Sequence, residues 1–226
     1  MEEPRRRTTL ARWALEVALI VGSVFVAIFL EGLADDASRT REARTSIAQL
    51  TSQLRADSAD LASVRAHQEG LSVVYDSLLA WLGDPSTLDG ASVQDGLDQV
   101  AFLNRTMYPR KGSWEAITST GQRAWVGDHD LVAGLGNFYE SMVEKLEYMG
   151  QDYDYNVNEV ARVIIPRSWD AQRSGLRGEE EDWAELRGQL RYLRLSWNEY
   201  YLDLLGEYSR EMGVLLRDLD AFLAEG

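Results

Sequence analysis

The sequence predicts an all-α protein in which one N-terminal transmembrane helix continues into an elongated bundle of three long helices and short connecting helices. Three observations support this fold. One uncharged apolar stretch lies near the N-terminus, apolar residues then recur at three- and four-residue spacing, and no alternating strand pattern competes with that spacing. With 226 residues, 45% of them hydrophobic, the chain is long enough for one membrane span and one compact domain.

Charge is distributed unevenly along the chain. Residues 1–12 contain four arginines and two glutamates, whereas the remainder contains 19 basic and 35 acidic residues. Because an acidic body repels phosphate backbones, we expect no nucleic-acid partner. The absence of cysteine excludes disulfides, zinc-thiolate sites, iron-sulfur clusters and thiol nucleophiles.

The predicted membrane helix covers residues 13–34 and follows a basic tail, residues 1–12. Residues 17–30 contain no charge, and at 1.5 Å per residue the surrounding helix can cross a bilayer. Trp13 fits the aromatic belt of the cytoplasmic interface. Small residues on one side of this helix either allow close packing of a second helix or occur by chance in an alanine-rich segment. They are Ala14, Ala18, Gly22, Ser23 and Ala27.

The arginines before the span predict its orientation, with the N-terminus in the cytoplasm and residues 35–226 outside. In a bacterial inner membrane the body would be periplasmic. The residues expected at the cytoplasmic headgroups are Arg5, Arg6, Arg7 and Arg12, beside Trp13. The alternative is a cleaved signal peptide, because a basic segment precedes an apolar one and small residues follow it at Gly32 and Ala34.

The first body helix is predicted from a heptad pattern over residues 47–82. Asp57 and Gln68 occupy two of its otherwise apolar positions, and no Pro or Gly lies between Gly32 and Gly70. We therefore expect one continuous helix from the membrane into the body, ended by Gly83-Asp84-Pro85. The apolar positions are Ile47, Leu50, Leu54, Leu61, Val64, Leu71, Tyr75, Leu78 and Leu82.

Two short helices are expected next. Ser92 is the predicted N-cap of a helix that extends to about Met107. Ser113 is the predicted N-cap of a helix over residues 114–120, which Gly121 ends. The second long helix should begin at Asp128 and end at Pro166. Its expected apolar side consists of Leu131, Leu135, Phe138, Met142, Leu146, Met149, Tyr153, Val160 and Ile164.

The third long helix is expected after a loop over residues 166–180. The acidic run of residues 179–182 favours a helix N-terminus, and the helix should reach Leu223. Its predicted apolar side consists of Trp183, Leu186, Leu190, Leu193, Trp197, Tyr200 and Leu204.

Two stretches resemble a bacterial family of single-span membrane proteins of unknown function. They are LEVALIVGSVFVAIFLEGLADD and GSWEAITSTGQRAWVGDHDLVAGLGNFYESM. The matching positions of the second are Ser113, Trp114, Glu115, Ala116, Ile117, Ser119 and Gly121. The chain departs from the family at residues 31–33, where Glu-Gly-Leu replaces an ending with an amide and a tryptophan. The resemblance implies membrane topology and a helical body, and no activity.

No catalytic or metal-binding motif stands out in this sequence. His67 and His129 are isolated from other ligands, and no nucleophile elbow, glycine-rich phosphate loop or HExxH motif occurs. We therefore expect no enzyme activity, no metal and no cofactor. Trp114, Trp125 and Trp169 lie near predicted breaks and are candidate partner contacts.

These patterns favour a non-catalytic accessory or scaffold subunit of a larger membrane complex, acting through helix-helix contacts with other membrane protein subunits. Homo-oligomers are a further option. In an energy-converting assembly, respiratory or photosynthetic, the chain would be structural, because its span has no histidine to ligate a haem or chlorophyll. The alternative is a periplasmic ligand-binding or sensor bundle, which would need a membrane partner to pass its signal inward.

Overall fold

The computed structural model describes residues 4–225 except 85, 88, 174, 178 and 179, without the side chains of residues 4–12, 14, 15 and 180–182. This part of the chain is all-α, as predicted. The helices are α1 Pro4–Gly83, α2 Gly90–Phe102, α3 Gly112–Ser119, α4 His129–Asn137, α5 Glu144–Glu159, α6 Ile165–Ser168, α7 Glu180–Tyr192 and α8 Glu199–Ala224. Shorter turns are the 3-10 helix Gln122–Trp125 and the π-helices Phe138–Val143, Val160–Ile164 and Leu193–Asn198.

Helix α1 is one rod of 80 residues, roughly 120 Å long. Gly32 and Gly70 do not interrupt it, and it ends at Gly83, so the predicted continuous helix is confirmed. Its residues 16–42 are exposed, and burial begins at Ala43. All the predicted heptad positions from residue 47 to 82 are buried, including the polar Asp57 and Gln68.

Two further rods pack on the body part of α1. The second rod, residues 129–168, consists of α4, α5 and α6 joined by π turns, and the third rod, residues 180–224, consists of α7 and α8 joined by another. The third rod is antiparallel to α1. At one end the Arg44 guanidinium donates to the carbonyls of Phe222 and Leu223, and at the other Arg187 donates to the carbonyl of Leu82. The predicted bundle of three long helices is therefore correct.

Both predicted serine caps are wrong. Asp89 is the N-cap of α2, because its Oδ1 accepts from the backbone N–H of Ser92 at 2.9 Å. The helix ends at Phe102, since the following loop is bonded to other helices, so Met107 lies outside it. Helix α3 begins at Gly112, and the Ser113 hydroxyl donates instead to Gln53 Oε1 at 2.8 Å.

The π turns shift the buried side of the second and third rods. Each places one more residue in a turn than an α-helix does, which rotates the residues that follow relative to the expected pattern. Tyr201 is therefore buried, whereas the predicted Tyr200 is exposed. In the second rod, Val143 takes the core position, and Met142 and Met149 lie half-buried at its edge.

The loop predicted over residues 166–180 differs in two details. Pro166 does not end the second rod, because it stands in the first turn of α6, directly after a π turn, where a missing N–H is tolerated. A short antiparallel pair then forms between strands β1 Trp169–Asp170 and β2 Gly175–Leu176. Helix α7 begins at Glu180, within the predicted acidic run, and α8 ends at Ala224, close to the predicted Leu223.

Candidate membrane anchor and partner-contact site

The first part of α1 is an apolar helix surface that the other described residues leave uncovered. Within the described residues, one stretch near the start of Glu16–Gly83 is long and apolar enough to cross a membrane, and none of it is buried. Val17, Phe25 and Leu30 are each more than half exposed. The core helix of a soluble protein would be covered by its own chain, so this exposed segment is compatible with a membrane anchor or a signal sequence.

The small residues of this segment form an open strip. A Cβ added at Gly22 would meet no other atom within 4 Å, so space remains there for a neighbouring helix. The Ser23 hydroxyl donates to the carbonyl of Ile20 at 2.8 Å, which satisfies the hydroxyl within its own helix. Ala18 and Ala27 lie in the same exposed segment. The predicted packing position Ala14 and the predicted headgroup contacts Arg5, Arg6, Arg7 and Arg12 lie outside the described side chains.

The body begins with two arginine-aromatic contacts on α1. The Arg39 guanidinium lies 5.1 Å from the centre of the Trp125 ring, and that of Arg44 lies 5.2 Å from the Phe222 ring. Arg44 also closes the C-terminus of α8 through two carbonyl hydrogen bonds of 2.9 and 2.8 Å. These contacts fix the end of the bundle on α1, roughly 15 Å beyond the apolar segment.

A polar cluster joins the three rods inside the body. Gln68 Oε1 accepts hydrogen bonds from Asn198 Nδ2 at 2.9 Å and from the Tyr153 hydroxyl at 3.3 Å. Gln68 Nε2 donates to Asn104 Oδ1 at 2.9 Å, and the Ser72 hydroxyl donates to Asn198 Oδ1 at 2.6 Å. Because each buried polar group needs a partner, the cluster fixes the position of α1 against both other rods.

Tyr153 acts in this cluster as a neutral donor. It is fully buried, and that burial raises the pKa of its hydroxyl to about 12. The ring also lies parallel to that of Trp197, with 6.4 Å between the centroids. The hydroxyl therefore stays protonated at neutral pH, as its bond to Gln68 requires.

Residues 103–111, here called the pinned loop, have no regular secondary structure but are bonded to several helices. The Asp154 carboxylate accepts hydrogen bonds from Asn104 Nδ2 at 2.9 Å and from the hydroxyls of Thr106 and Tyr108 at 2.8 and 2.6 Å. The backbone N–H of Met107 donates to the Tyr201 hydroxyl at 2.7 Å. The loop is thus held in one conformation against α5 and α8.

Asp57 holds the other end of the pinned loop. Its Oδ2 accepts from the backbone N–H of Arg110 at 3.1 Å, and its Oδ1 pairs with the guanidinium of that residue. The same guanidinium contacts the exposed Asp60 at 2.7 Å. Burial raises the pKa of Asp57 above its ordinary value, and the bonds from Arg110 offset part of that rise.

The three tryptophans predicted as partner contacts occupy different environments. Trp114 is buried and stacks on Tyr139 at 5.5 Å, and Trp169 is buried against Trp81 with its indole N–H donating to Gln94. Trp125 is half-buried under Arg39. Core packing accounts for Trp114 and Trp169, so in this conformation little of either ring can reach a partner.

The two histidines belong to different helices, His67 to α1 and His129 to α4. In the described part of the chain, no group of three or more His, Asp or Glu side chains is arranged to hold a metal ion. The Nε2 atom of His67 is buried without a hydrogen-bond partner there. His129 begins α4 next to Asp128, which caps this helix by accepting from the N–H of Leu131 at 2.9 Å, as its sequence position predicts.

Residues 16–164 match the model of a family of unknown function, DUF6090. The chain belongs to the DUF6090 family. Membership confirms the predicted likeness to a family of unknown function, while bacterial origin stays a prediction. The DUF6090 match includes the apolar segment, the pinned loop and α5. Comparison with curated proteins and with solved structures gave no match.

Several residues of this DUF6090 body were not predicted as functional or structural contacts. Asn104, Arg110 and Asn198 are partners of the two polar heptad positions, and Asp154 in turn accepts a hydrogen bond from Asn104. The signal for them was indirect, because a polar residue in an apolar heptad position requires a hydrogen-bond partner without indicating which one. Asn104 was expected inside a helix. It lies instead in the pinned loop after the end of α2, where it accepts a hydrogen bond from Gln68.

Proposed function

We propose that this chain is a non-catalytic, membrane-anchored accessory or scaffold subunit of a larger membrane protein complex. One observation carries the proposal: the start of α1 is an exposed apolar helix, and the same helix continues without a break into the body. Anchor and body are therefore rigidly connected, which suits a part that holds other subunits at a fixed distance. The anchor would lie in a bacterial inner membrane, with the N-terminus cytoplasmic and the body periplasmic.

Purification of the full chain from its native membrane in a mild nonionic detergent, followed by native mass spectrometry, tests this function. We expect a stable complex of fixed stoichiometry with other membrane proteins. A chain that is recovered only as a monomer or homodimer would contradict the scaffold role.

The span offers a specific variant for the same measurement. Gly22→Leu fills the open strip, so we expect it to reduce the yield of the complex, while Val21→Leu on the same exposed segment leaves the yield unchanged. Equal yields for both variants would remove span packing from the proposal and leave the body as the contact surface.

A ligand-binding or sensor bundle is the second candidate. An open groove of about 350 Å³ between the second rod and α8 favours it. Phe138, Met142 and Leu215 are among its apolar lining residues. Its acidic lining residues are Glu207, Glu211 and Asp218. A monomer or homodimer whose melting temperature rises with a small molecule would support this candidate over the scaffold.

A further inference from the structure

The outer side of α5 combines exposed aromatic rings with carboxylates. Tyr148 is 62% exposed and Tyr155 is 71% exposed, although rings of this size usually lie in the core or at an interface. Five residues at four- and three-residue spacing share this side, here called the outer face, over roughly 22 Å. They are Glu144, Tyr148, Asp152, Tyr155 and Glu159.

The carboxylates of the outer face are not neutralised by the described part of the chain. The ion pairs of α5 involve other residues of the helix. Lys145 pairs with Glu207 of α8, and Glu147 pairs with Lys111 of the pinned loop. Glu144, Asp152 and Glu159 take part in no ion pair with any described residue. The outer face therefore presents three carboxylates, unpaired within the described residues, between and beside two tyrosine rings.

The opposite side of α5 holds the outer face rigidly. Leu146, Tyr153 and Val157 are buried in the core, and Gly150 allows the Thr106 side chain to approach within 3.6 Å of the position of a Cβ. Asp154 adds three hydrogen bonds from the pinned loop. A surface that is already ordered loses little conformational freedom when it binds a partner.

The position and charge of the outer face exclude three kinds of occupant. Its neighbours in the pinned loop are bonded to Asp57 and Gln68, which lie roughly 36 and 52 Å along α1 beyond Leu33, whereas the polar layer of a bilayer is only about 5–8 Å thick. Lipid is therefore out of reach. A second copy of the same face and a nucleic acid would both bring negative charge against negative charge.

We propose that the outer face of α5 binds an arginine- or lysine-rich helix of a partner protein. Tyrosine rings attract guanidinium and ammonium groups over their faces, and the carboxylates between them form ion pairs with the same side chains. A basic helix with cations three and four residues apart repeats the spacing of the outer face. This inference rests on the proposed scaffold function and gives it a partner of defined chemistry.

Titration of the full chain in nonionic detergent with a synthetic peptide tests the inference. The probe is an alanine-based helical peptide with arginine every three or four residues, and its control has glutamine in place of arginine. We expect saturable binding of the arginine peptide alone, measured by calorimetry. The double variant Tyr148→Ala/Tyr155→Ala should bind about tenfold more weakly, because two cation-ring contacts are lost.

Tyr200→Ala is the matched control, since Tyr200 is an exposed tyrosine of the third rod. It should bind the arginine peptide as the native chain does. No binding of that peptide, equal binding of the glutamine peptide, or the same loss in both variants would overturn the inference. Circular dichroism checks that all variants are folded. A negative peptide titration would not decide the scaffold function, because native mass spectrometry detects the complex whatever surface forms it.

Discussion

Two polar residues in an apolar helix pattern determine much of how this body is held together. Asp57 and Gln68 stand out in the sequence because every neighbouring heptad position is apolar, and both are buried. Their partners could not be predicted, since Asn198 lies 130 residues from Gln68 in the chain and Arg110 lies 53 residues from Asp57. Local spacing indicates where a partner is needed, and only the tertiary fold brings it there.

Replacement of Gln68 should lower stability strongly. Gln68→Leu keeps the size of the side chain but removes one hydrogen bond each from Asn198, Asn104 and Tyr153 in the core. We expect a loss of about 2–3 kcal/mol in the free energy of unfolding, measured by denaturation of the full chain in detergent. Gln49→Leu, on the exposed side of the same helix, is the control and should change it by less than about 0.5 kcal/mol. Similar losses in the two variants would show that the cluster does not stabilise the body.

Asp57 should make stability depend on pH. Its pKa is raised in the folded state by burial, so between its ordinary value of 3.8 and the raised value the folded chain binds more protons than the unfolded chain. Stability from this group is therefore greatest at low pH and falls as pH rises through that window. Asp57→Asn lacks this titration.

The measurement compares unfolding free energies of the native chain and Asp57→Asn from about pH 3 upward. We expect the variant to gain stability relative to the native chain as pH increases, and the difference to become constant above the raised pKa. A constant difference across the whole range, or a slope of the opposite sign, would contradict the assignment.

At the scale of elements, glycines predicted two helix ends correctly, whereas the buried sides of the second and third rods were predicted only in part. Gly83 and Gly121 end helices where expected, because glycine and a following proline act locally. The π turns were not predicted, since an added residue in a turn is decided by packing against neighbouring rods. This is why Tyr201 and not Tyr200 bonds to the pinned loop.

Gly121 tests the local origin of these helix ends. Its φ of 73° lies in the left-handed region, and a Cβ there would meet no atom within 4 Å, so only backbone strain opposes a side chain. Gly121→Ala should lower the free energy of unfolding by about 1–2 kcal/mol. Gly112→Ala, also without a clash but with no positive φ, is the control and should be neutral or slightly stabilising. Thermal unfolding of both variants makes the comparison, and an unchanged midpoint for Gly121→Ala would refute the strain argument.

At the scale of the molecule, α1 combines two environments in one helix. Residues 16–42 are exposed, and from Ala43 onward one side of α1 is buried, mainly against the third rod and the short helices α2 and α3. Heptad spacing, apolar composition and the absence of breakers were sufficient to predict this arrangement. The outer face of α5 was not predicted, because its tyrosines and carboxylates gain meaning only once the buried side of the helix is known.

The proposed function requires that the apolar start of α1 crosses a membrane and leaves the body outside. The chain has no cysteine, so single cysteines can report this directly. The measurement is labelling of Thr8→Cys, Ser23→Cys and Ser38→Cys variants with a membrane-impermeant maleimide in spheroplasts. We predict that Ser38→Cys is labelled in intact spheroplasts, Thr8→Cys only after lysis, and Ser23→Cys only after the membrane is dissolved. Labelling of Thr8→Cys from outside, labelling of Ser23→Cys in the intact membrane, or a mature chain that lacks residue 8 would contradict the claim.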